Sequence, residues 1–188
     1  MIFRTKDIEE MNGHFKMFNY VMKCMEKPLS EDIIKNMHKN LKEGVFEDRA
    51  NGYAIGGWKK RANRVSDIQT ALPQEVPEKI HQLLEKYHNA EKITLYDIAK
   101  FHAQFENIHP FQDGNGRVGR LIMFKECLKN NIVPFIIDED LKMFYYRGLS
   151  EWNNEKGYLT DTCFTAQDKF KKYLDYFKIP YMHNPSNP

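Results

Sequence analysis

The sequence has few cysteines, and they are not spaced as pairs. Cys24, Cys127 and Cys163 are the only three among 188 residues. Disulfide frameworks and zinc sites need cysteines in matched sets or at short regular spacings, so neither is predicted. Three isolated thiols are typical of a reducing compartment, and the sequence therefore favours free thiols.

The sequence also lacks a long apolar run and a large net charge. No stretch approaches the ~20 apolar residues that span a bilayer, and no N-terminal segment has the pattern of a secretory signal. The 28 basic and 26 acidic residues leave a formal net charge of +2, too small to favour DNA, RNA or an anionic membrane as a partner. We therefore expect a cytoplasmic protein.

The composition is that of a globular chain with a core. Hydrophobic residues make up 41% of the chain and charged residues 29%, which allows both a buried core and a soluble surface. A length of 188 residues fits one domain. We predict a single domain over residues 1–180 and a disordered tail over 181–188, where prolines and polar residues dominate the end.

Apolar residues recur at steps of three and four along most of the chain, which is the period of an amphipathic helix. The first helix is predicted to start at Asp7 and stop by Pro28, and the second to be capped by Ser30. Later helices are predicted after Pro77, after the capping box of Thr94, and over 139–154 and 159–177. We expect each stripe to lie in the core; that of the first helix is Ile8, Met11, Phe15, Phe18, Met22 and Met25.

The segment between residues 44 and 77 breaks this helical period. Its Asn-Gly and Gly-Gly pairs indicate turns, and the alternation around Val65 and Ile68 indicates a short, irregular hairpin. No other segment has the pattern of a strand. The fold class is therefore predicted to be mainly α, with a short hairpin before the helix that leads to His109.

The stretch from His109 to Arg120 reads His-Pro-Phe-Gln-Asp-Gly-Asn-Gly-Arg-Val-Gly-Arg and lies between two apolar helices. A loop that enters a helix presents unpaired backbone N–H groups and the positive end of the helix dipole. Gly114 and Gly116 have no Cβ, so the backbone can approach an anion closely. Arg117 and Arg120 can reach successive phosphates with forked donors. The pattern predicts a polyphosphate cradle.

Two further residues of this stretch have the chemistry of a transfer reaction. Asp113 can hold Mg²⁺ while phosphate oxygens and water supply the remaining ligands. His109 has an ordinary pKa near ~6.5, so a neutral imidazole is available to accept a proton from an attacking hydroxyl. A base, a metal ligand and an anion site thus fall within one short segment.

A purely structural reading of the same stretch stays open residue by residue. Asp-Gly and Asn-Gly pairs are strong hairpin signals, so the loop can be a tight turn without chemistry, although its flanks do not alternate as strands do. The loop does not match the calcium EF-hand, which needs a glycine at its sixth position. It also lacks the Gly-Lys-Ser/Thr of a P-loop.

The whole stretch resembles the signature of the Fic (filamentation induced by cAMP) domain family, His-x-Phe-x-Asp/Glu-Gly-Asn-Gly-Arg-x-x-Arg. Every fixed position of that signature is matched here. The similarity extends over about residues 7–177, through the helix pattern, the hairpin and the segment Phe144-Tyr145-Tyr146. It implies a Fic-type helical bundle with a hairpin flap over about residues 58–72 and a catalytic loop over 109–120.

The resemblance implies a role for each residue of the loop. His109 would deprotonate a target hydroxyl, Phe111 would anchor the loop in the core, and Asp113 would hold Mg²⁺. ATP would be the second substrate, held through its phosphates. The α and β phosphates would meet the amides of Gly114, Asn115 and Gly116, the Asn115 side chain and Arg117, and the γ phosphate would meet Arg120.

Two other segments complete the implied site. Tyr145, Tyr146 and Asn153 match positions that line the adenine and ribose, and the seven-residue spacing of Tyr146 and Asn153 predicts a shared helix face. The flap would align an extended target chain by backbone pairing, with its centre at Val65, Ser66, Asp67 and Ile68. The basic cluster beside it, Lys59, Lys60, Arg61 and Arg64, is expected to be a solvated surface.

The implied function is a protein adenylyltransferase that moves AMP from Mg·ATP to a Ser, Thr or Tyr hydroxyl of a target protein, including itself. Related chemistries stay open: transfer of UMP or phosphate, or removal of AMP. A helical module that binds nucleotide without turnover is a further alternative, although mere binding does not require His109. The sequence allows a homo-oligomer.

Control of the site is a separate expectation. Many relatives carry an inhibitory helix of the pattern Ser/Thr-x-x-x-Glu-Gly/Asn whose glutamate pairs with the second arginine of the motif, here Arg120. Thr5 and Glu9 have the spacing, but Glu10 stands where Gly or Asn is required. We therefore expect an inhibitory segment or partner outside this chain, with Arg120 free.

Overall fold

The computed structural model describes residues 4–65 and 68–181. Over these residues the chain forms eight α-helices and one antiparallel pair of short strands, so the predicted mainly α class is confirmed. No helix in this part of the chain is both long and apolar enough to cross a membrane. The elements are α1 (Thr5–Lys23), α2 (Glu31–Lys42), α3 (Phe46–Ala50), β1 (Arg64–Val65), β2 (Ile68–Gln69), α4 (Val76–His88), α5 (Leu95–Ile108), α6 (Asn115–Lys129), α7 (Lys142–Ser150) and α8 (Gly157–Tyr176).

The predicted core stripe of α1 is wrong. The residues of α1 that are buried are Gly13, Met17 and Val21, at steps of four. A Cβ on Gly13 would stand 1.9 Å from the Leu41 carbonyl oxygen, so the glycine lets α1 lie directly against α2. This close approach fixes the rotation of α1 and leaves most of the apolar stripe exposed: Ile8 at 45%, Met11 at 54%, Phe15 at 59% and Met22 at 45%.

The predictions for the next helices are confirmed. Ser30 caps α2 by accepting from the Ile33 amide over 3.3 Å. Thr94 caps α5 and exchanges hydrogen bonds with Asp97, as its capping box predicts. The predicted stripes of α2, α4 and α5 are buried, and each large apolar side chain among them contributes roughly 1.5–3 kcal/mol to folding.

The helices α5 and α6 form the centre of the fold because each contributes to two apolar clusters. One cluster packs their inner faces against α1, α2 and α4 and includes Phe105, Phe111 and Val118. The other packs them against α7 and α8 and includes Met123 and Tyr145. The loop between α5 and α6 is therefore held at the boundary of two cores, which gives it a rigid base.

The segment between α2 and α4 contains the predicted hairpin and one helix that the sequence pattern did not indicate, α3. The strands pair in antiparallel register, with Arg64 opposite Gln69 and Val65 opposite Ile68. Helix α7 is shorter than predicted, since it ends at Ser150 rather than near residue 154. Of the predicted tail, residues 182–188 lie outside the described residues, and Tyr181 donates to Asp175 over 3.0 Å.

Candidate active site

The loop from His109 to Gly114 joins α5 to α6 by way of two left-handed residues. His109 has φ 52° and ψ 62°, and Gly114 has φ 86° immediately before α6 begins at Asn115. A non-glycine residue in this region carries backbone strain, which is common where a side chain must be aimed at a site. The predicted entry of the loop into a helix N-terminus, with its unpaired first amides, is confirmed.

The loop is closed by the side chain of Asn115, which is 1% exposed. Its Oδ1 accepts from the Phe111 amide and its Nδ2 donates to the Phe111 carbonyl, both over 2.8 Å. The side chain is thus directed at the loop backbone. The expectation that this side chain binds phosphate does not fit the geometry, and only the Asn115 backbone amide stays in that role.

Phe111 anchors the loop between the helices, as expected, because its side chain is fully buried. The His38 ring stacks on it with centroids 3.9 Å apart and planes 3° apart. His38 also accepts from the Gly56 amide at Nδ1 over 3.0 Å and, as the neutral tautomer this requires, donates to the Asp113 carbonyl from Nε2 over 3.1 Å. Burial lowers the pKa of His38 to about 4, so the ring stays neutral.

A buried lysine organises the carboxylates beside the loop. Lys42 is completely buried, and its ammonium group lies 2.6 Å from Glu10, 2.7 Å from Asp48 and in contact with Asp113. Burial opposes its charge, but these three carboxylates raise the pKa of Lys42. The acidic oxygens lie within 4.8 Å of one another around this cation. Lys42 thus fixes the position of Asp113, a role that no local sequence pattern indicates.

An open cavity of about 740 Å³ lies over this loop. Most of the residues that the sequence predicted for the site line it, and several residues that it did not single out line it too. The predicted lining residues are Val65, His109, Asp113, Gly114, Asn115, Gly116, Arg117, Arg120, Tyr145 and Tyr146. The additional ones are Thr70, Glu106, Asn107, Arg147, Leu149 and Ser150.

His109 stands at the edge of this cavity with most of its ring buried. Burial, and then the positive charge of Lys59, lowers the pKa of His109 to about 4. The ring is therefore neutral above that pH and able to accept a proton. Its Nδ1 makes no hydrogen bond of full geometry within residues 4–65 and 68–181, although the Glu106 backbone carbonyl faces the ring and acts to raise the His109 pKa. The nearest carboxylate oxygen, Oε2 of Glu106, lies 3.8 Å away.

The two arginines of the loop differ in their partners. Arg117 donates to both oxygens of Glu10, over 2.8 and 3.3 Å, and lies 3.4 Å from Asp113. Arg120 instead lies against the Tyr145 ring, with its guanidinium carbon 5.7 Å from the ring centroid. Glu9 takes no part in either contact, since it accepts from the Phe46 amide over 3.1 Å at the start of α3.

Helix α7 forms the far wall of the cavity. Tyr145 is 2% exposed and hydrogen-bonds to Nε2 of His102 over 2.7 Å, whereas Tyr146 is 54% exposed. Asn153 lies beyond the end of α7 and is exposed, so its predicted shared helix face with Tyr146 is wrong. Asn153 is not among the residues that line the cavity, and a nucleotide-binding role for it does not fit this geometry.

The hairpin segment is fastened to the end of α5, just before His109, by Lys59. This side chain is 2% exposed, so its expected place on a solvated surface is wrong. Its ammonium group donates to Asn63 over 2.6 Å, to Thr70 over 2.8 Å and to the Ile108 carbonyl over 3.3 Å. Val65 of β1 lines the cavity and Ile68 belongs to β2. The predicted flap residues Ser66 and Asp67 lie outside the described residues.

The sequence profile of the Fic/DOC family matches residues 28–127, more than half of the chain. The matched residues include the hairpin, α5, the loop from His109 to Gly114 and most of α6. The chain belongs to the Fic/DOC family.

Individual relatives agree with this assignment. A probable protein adenylyltransferase of Aquifex aeolicus (strain VF5) is 38% identical over 96 residues, which is 47% of this chain and 29% of that protein. A protein adenylyltransferase Fic of Drosophila erecta is 38% identical over 72 residues, 36% of this chain and 14% of that protein. The chain therefore spans less than a third of these curated relatives.

The fold also resembles solved structures. The solved structure of Fic-1 (residues 134–508) from C. elegans superposes with a TM-score of 0.79 at 19% identity, and the match covers 95% of this chain and 55% of that one.

Proposed function

We propose that the protein transfers AMP from Mg·ATP to a Ser, Thr or Tyr hydroxyl of a target protein, itself included. One observation carries this proposal: a single cavity brings the neutral His109 imidazole beside the N-terminus of α6 and its two arginines. A base next to an anion site is the combination that attack of a hydroxyl on a phosphate requires. The names of the matched relatives support AMP as the transferred group.

In this proposal the residues of the loop divide the work. His109 accepts the proton of the target hydroxyl. The backbone amides of Gly114, Asn115 and Gly116 and the guanidinium of Arg117 hold the α and β phosphates, and Arg120 holds the γ phosphate. Gly116 leaves room for Arg120, because a Cβ there would stand 3.1 Å from its Nη1. Tyr145 and Tyr146 form the wall against the base and ribose.

Mg²⁺ is assigned to Asp113. This carboxylate lines the cavity and its side chain is 44% exposed, which suits an ion that keeps most of its ligands from phosphate and water. The ion pairs of Asp113 with Lys42 and Arg117 both use Oδ2, so a metal ion held through Oδ1 would displace neither. When bound, the ion neutralises charge on the polyphosphate.

The flap aligns the target chain in this proposal. Val65 of β1 lines the cavity together with His109, and an extended target chain would pair by its backbone with an exposed edge of the hairpin. Residues 1–180 would act together as one Fic domain. Within the described residues, Glu9 of the poor inhibitory match contacts the Phe46 amide and not Arg120, so we expect transfer to proceed without activation. A clamp on Arg120 itself would come from a segment or partner outside this chain.

Other Fic-type chemistries use the same loop and are distinguished by the group that is transferred. The test is incubation of the protein with a cell lysate and Mg²⁺, using ATP labelled at either the α or the γ phosphate. Label on protein from α alone supports AMP transfer, whereas label from γ alone would mean phosphorylation. No label on any protein, the enzyme included, would favour a nucleotide-binding module.

A further inference from the structure

Glu106 is a mostly buried acid that lines the cavity, and no hydrogen bond in the described chain accounts for the burial of its carboxyl group. Its side chain is 13% exposed, and its Oε1 has no hydrogen-bond partner among residues 4–65 and 68–181. Unpaired carboxyl oxygens are rarely buried, because they lose hydration without compensation. Burial raises the pKa of Glu106 to about 7, against the opposing effect of Arg120. An acid in a cleft whose pKa is strongly raised by burial is a candidate functional residue.

The position of Glu106 is fixed from the side of α6. A Cβ on Gly119 would stand 2.8 Å from Oε1 of Glu106 and 2.7 Å from Cε1 of His102. Only glycine therefore leaves the space that the carboxyl group occupies. The carboxyl group of Glu106 is therefore packed against α6 near the end of its own helix.

The opposite side of Glu106 faces the catalytic histidine. Glu106 precedes His109 by three residues, which on a helix places the two side chains on one face. The left-handed backbone of His109 keeps its ring over this last turn, with Nδ1 3.8 Å from Oε2 of Glu106. Nδ1 of His109 and Oε1 of Glu106 are both buried without a hydrogen bond of full geometry within the described chain. The Glu106 backbone carbonyl also faces the ring, so the carboxylate and the carbonyl of one residue both offer Nδ1 an acceptor. Hydrogen bonds at catalytic groups are often long before substrate is bound and tighten in the complex.

We propose that Glu106 is a positioning residue for His109, holding the imidazole in the tautomer whose second nitrogen accepts the target proton and stabilising the imidazolium that forms. This inference rests on the proposed transfer of AMP. It deepens that function by adding a carboxylate partner to the base.

The step balances without a further reactant. The target oxygen bonds to the α phosphorus as the bond from that phosphorus to the bridging oxygen of pyrophosphate breaks, and the hydroxyl proton passes to Nε2 of His109. The imidazolium keeps its Nδ1 proton and uses it to donate a hydrogen bond to the Glu106 carboxylate. Pyrophosphate leaves with the bridging oxygen. Glu106 acts through charge and orientation and takes no proton itself, as carboxylates do beside catalytic histidines.

A carboxylate partner would compensate for the low pKa of His109, which makes the ring a weak base. A buried ring next to the Lys59 ammonium resists the charge that proton transfer creates, which is why its pKa is lowered to about 4. A carboxylate within reach offsets this repulsion in the transition state. The groups facing this pair are His102 on α5, Asp113 in the loop, Arg120 on α6, Tyr145 on α7 and Lys59 in the flap segment.

The direct test is nitrogen NMR of the histidine rings in wild type and Glu106→Gln, between pH 5.5 and 9, with His109 assigned by its loss in His109→Ala. We expect the Nδ1-protonated tautomer in wild type, with nitrogen shifts that change as pH passes through about 7, and loss of that change in Glu106→Gln. Glu85→Gln, which removes an exposed acid of α4, should behave as wild type. A His109 that titrates identically in the two proteins would overturn the proposal. A wild-type His109 without a proton on Nδ1 would overturn it even if Glu106→Gln does not fold.

Kinetics of AMP transfer provide the second readout. Glu106→Gln should lower kcat by about 10- to 100-fold, leave the KM for ATP within about twofold, and lose the fall in kcat below pH 7. Glu106→Asp should recover part of the rate. Equal losses of kcat and ATP affinity would mean a merely structural role. If wild type transfers no AMP, the proposed function fails, and the NMR result still decides whether the two side chains are coupled.

Discussion

Arg117 of α6 donates to both carboxylate oxygens of Glu10 in α1, over 2.8 and 3.3 Å. The same carboxylate lies 2.6 Å from the buried Lys42 ammonium. Burial opposes its charge, yet hydrogen bonds from Arg117 and Lys42 lower the pKa of Glu10, so it is an anion at neutral pH. The Glu10 carboxylate thus already accepts the hydrogen bonds that Arg117 would donate to a phosphate.

Removing this competitor should strengthen nucleotide binding. We expect Glu10→Gln to lower the Kd for Mg·ATP by about three- to tenfold, because a partly exposed ion pair of this kind is worth on the order of 1 kcal/mol. Titration calorimetry measures the change. Glu9→Gln is the matched control, since Glu9 contacts the Phe46 amide instead. If nucleotide affinity is unchanged in Glu10→Gln, or if loss of Glu9 releases a large activity, this account of α1 is wrong.

Loss of the proposed metal ligand should act through the polyphosphate charge. Asp113→Ala leaves the phosphates without a counter-ion and also releases Lys42 and Arg117 from Oδ2. We expect transfer to fall by at least about 100-fold, with no recovery in excess Mg²⁺. Initial rates across a Mg²⁺ titration test this expectation. Normal transfer by the variant at low Mg²⁺ would remove Asp113 from the metal site.

Lys59 links the hairpin segment to Ile108, the residue before the proposed base His109. Lys59→Met keeps the apolar stem but loses the hydrogen bonds to Asn63, Thr70 and the Ile108 carbonyl. We expect faster amide hydrogen exchange in the flap and about tenfold slower transfer to protein, with ATP affinity within about twofold. Lys60→Met removes a neighbouring exposed charge and should change neither. Unchanged exchange in Lys59→Met would show that the flap is held by other contacts.

The buried pair of His102 and Tyr145 should make the fold sensitive to acid. Burial lowers the pKa of His102 to about 3, whereas the unfolded chain takes up this proton near pH 6.5. The unfolded state therefore binds more protons between these values, and the free energy of unfolding falls as pH falls, by about 1.4 kcal/mol per pH unit for one group.

Replacing both partners, His102→Phe with Tyr145→Phe, avoids leaving either polar group unpaired. Between pH 7 and pH 5 the double variant should lose about 2 kcal/mol less than wild type in urea unfolding. An identical loss in both proteins would mean that His102 does not titrate with unfolding. His38 and His109 are present in both proteins, so their contributions cancel in the comparison.

Sequence periodicity described α2, α4 and α5 correctly because their buried faces consist of large apolar side chains. It gave the wrong face of α1 because the contact with α2 depends on a missing side chain at Gly13, which an apolar count ignores. Helix α3 has only five residues, too few for a period to be read. Asn153 was placed on α7 because nothing in the spacing marks the end of that helix at Ser150.

The loop from His109 to Arg120 could be singled out from the sequence because its residues are consecutive. The groups that support it are not: Lys42 joins α1, the α3 region and the loop, and His38 joins α2 to Gly56 and Asp113. Lysine and histidine are residue types usually found at the surface, so nothing in the helix pattern marks either one. Only the packed fold brings these two buried side chains to the loop. Glu106 carried one local signal, its position one turn before His109.

The central claim is that one loop separates proton transfer from nucleotide binding, and His109→Ala tests it most directly. Two quantities are measured on this variant and on wild type: incorporation of label from α-labelled ATP into protein, and the calorimetric Kd for Mg·ATP. The account predicts loss of transfer with that Kd unchanged within about twofold, because the ring acts on the hydroxyl while the α6 N-terminus holds the phosphates. Residual transfer within a few-fold of wild type would contradict it.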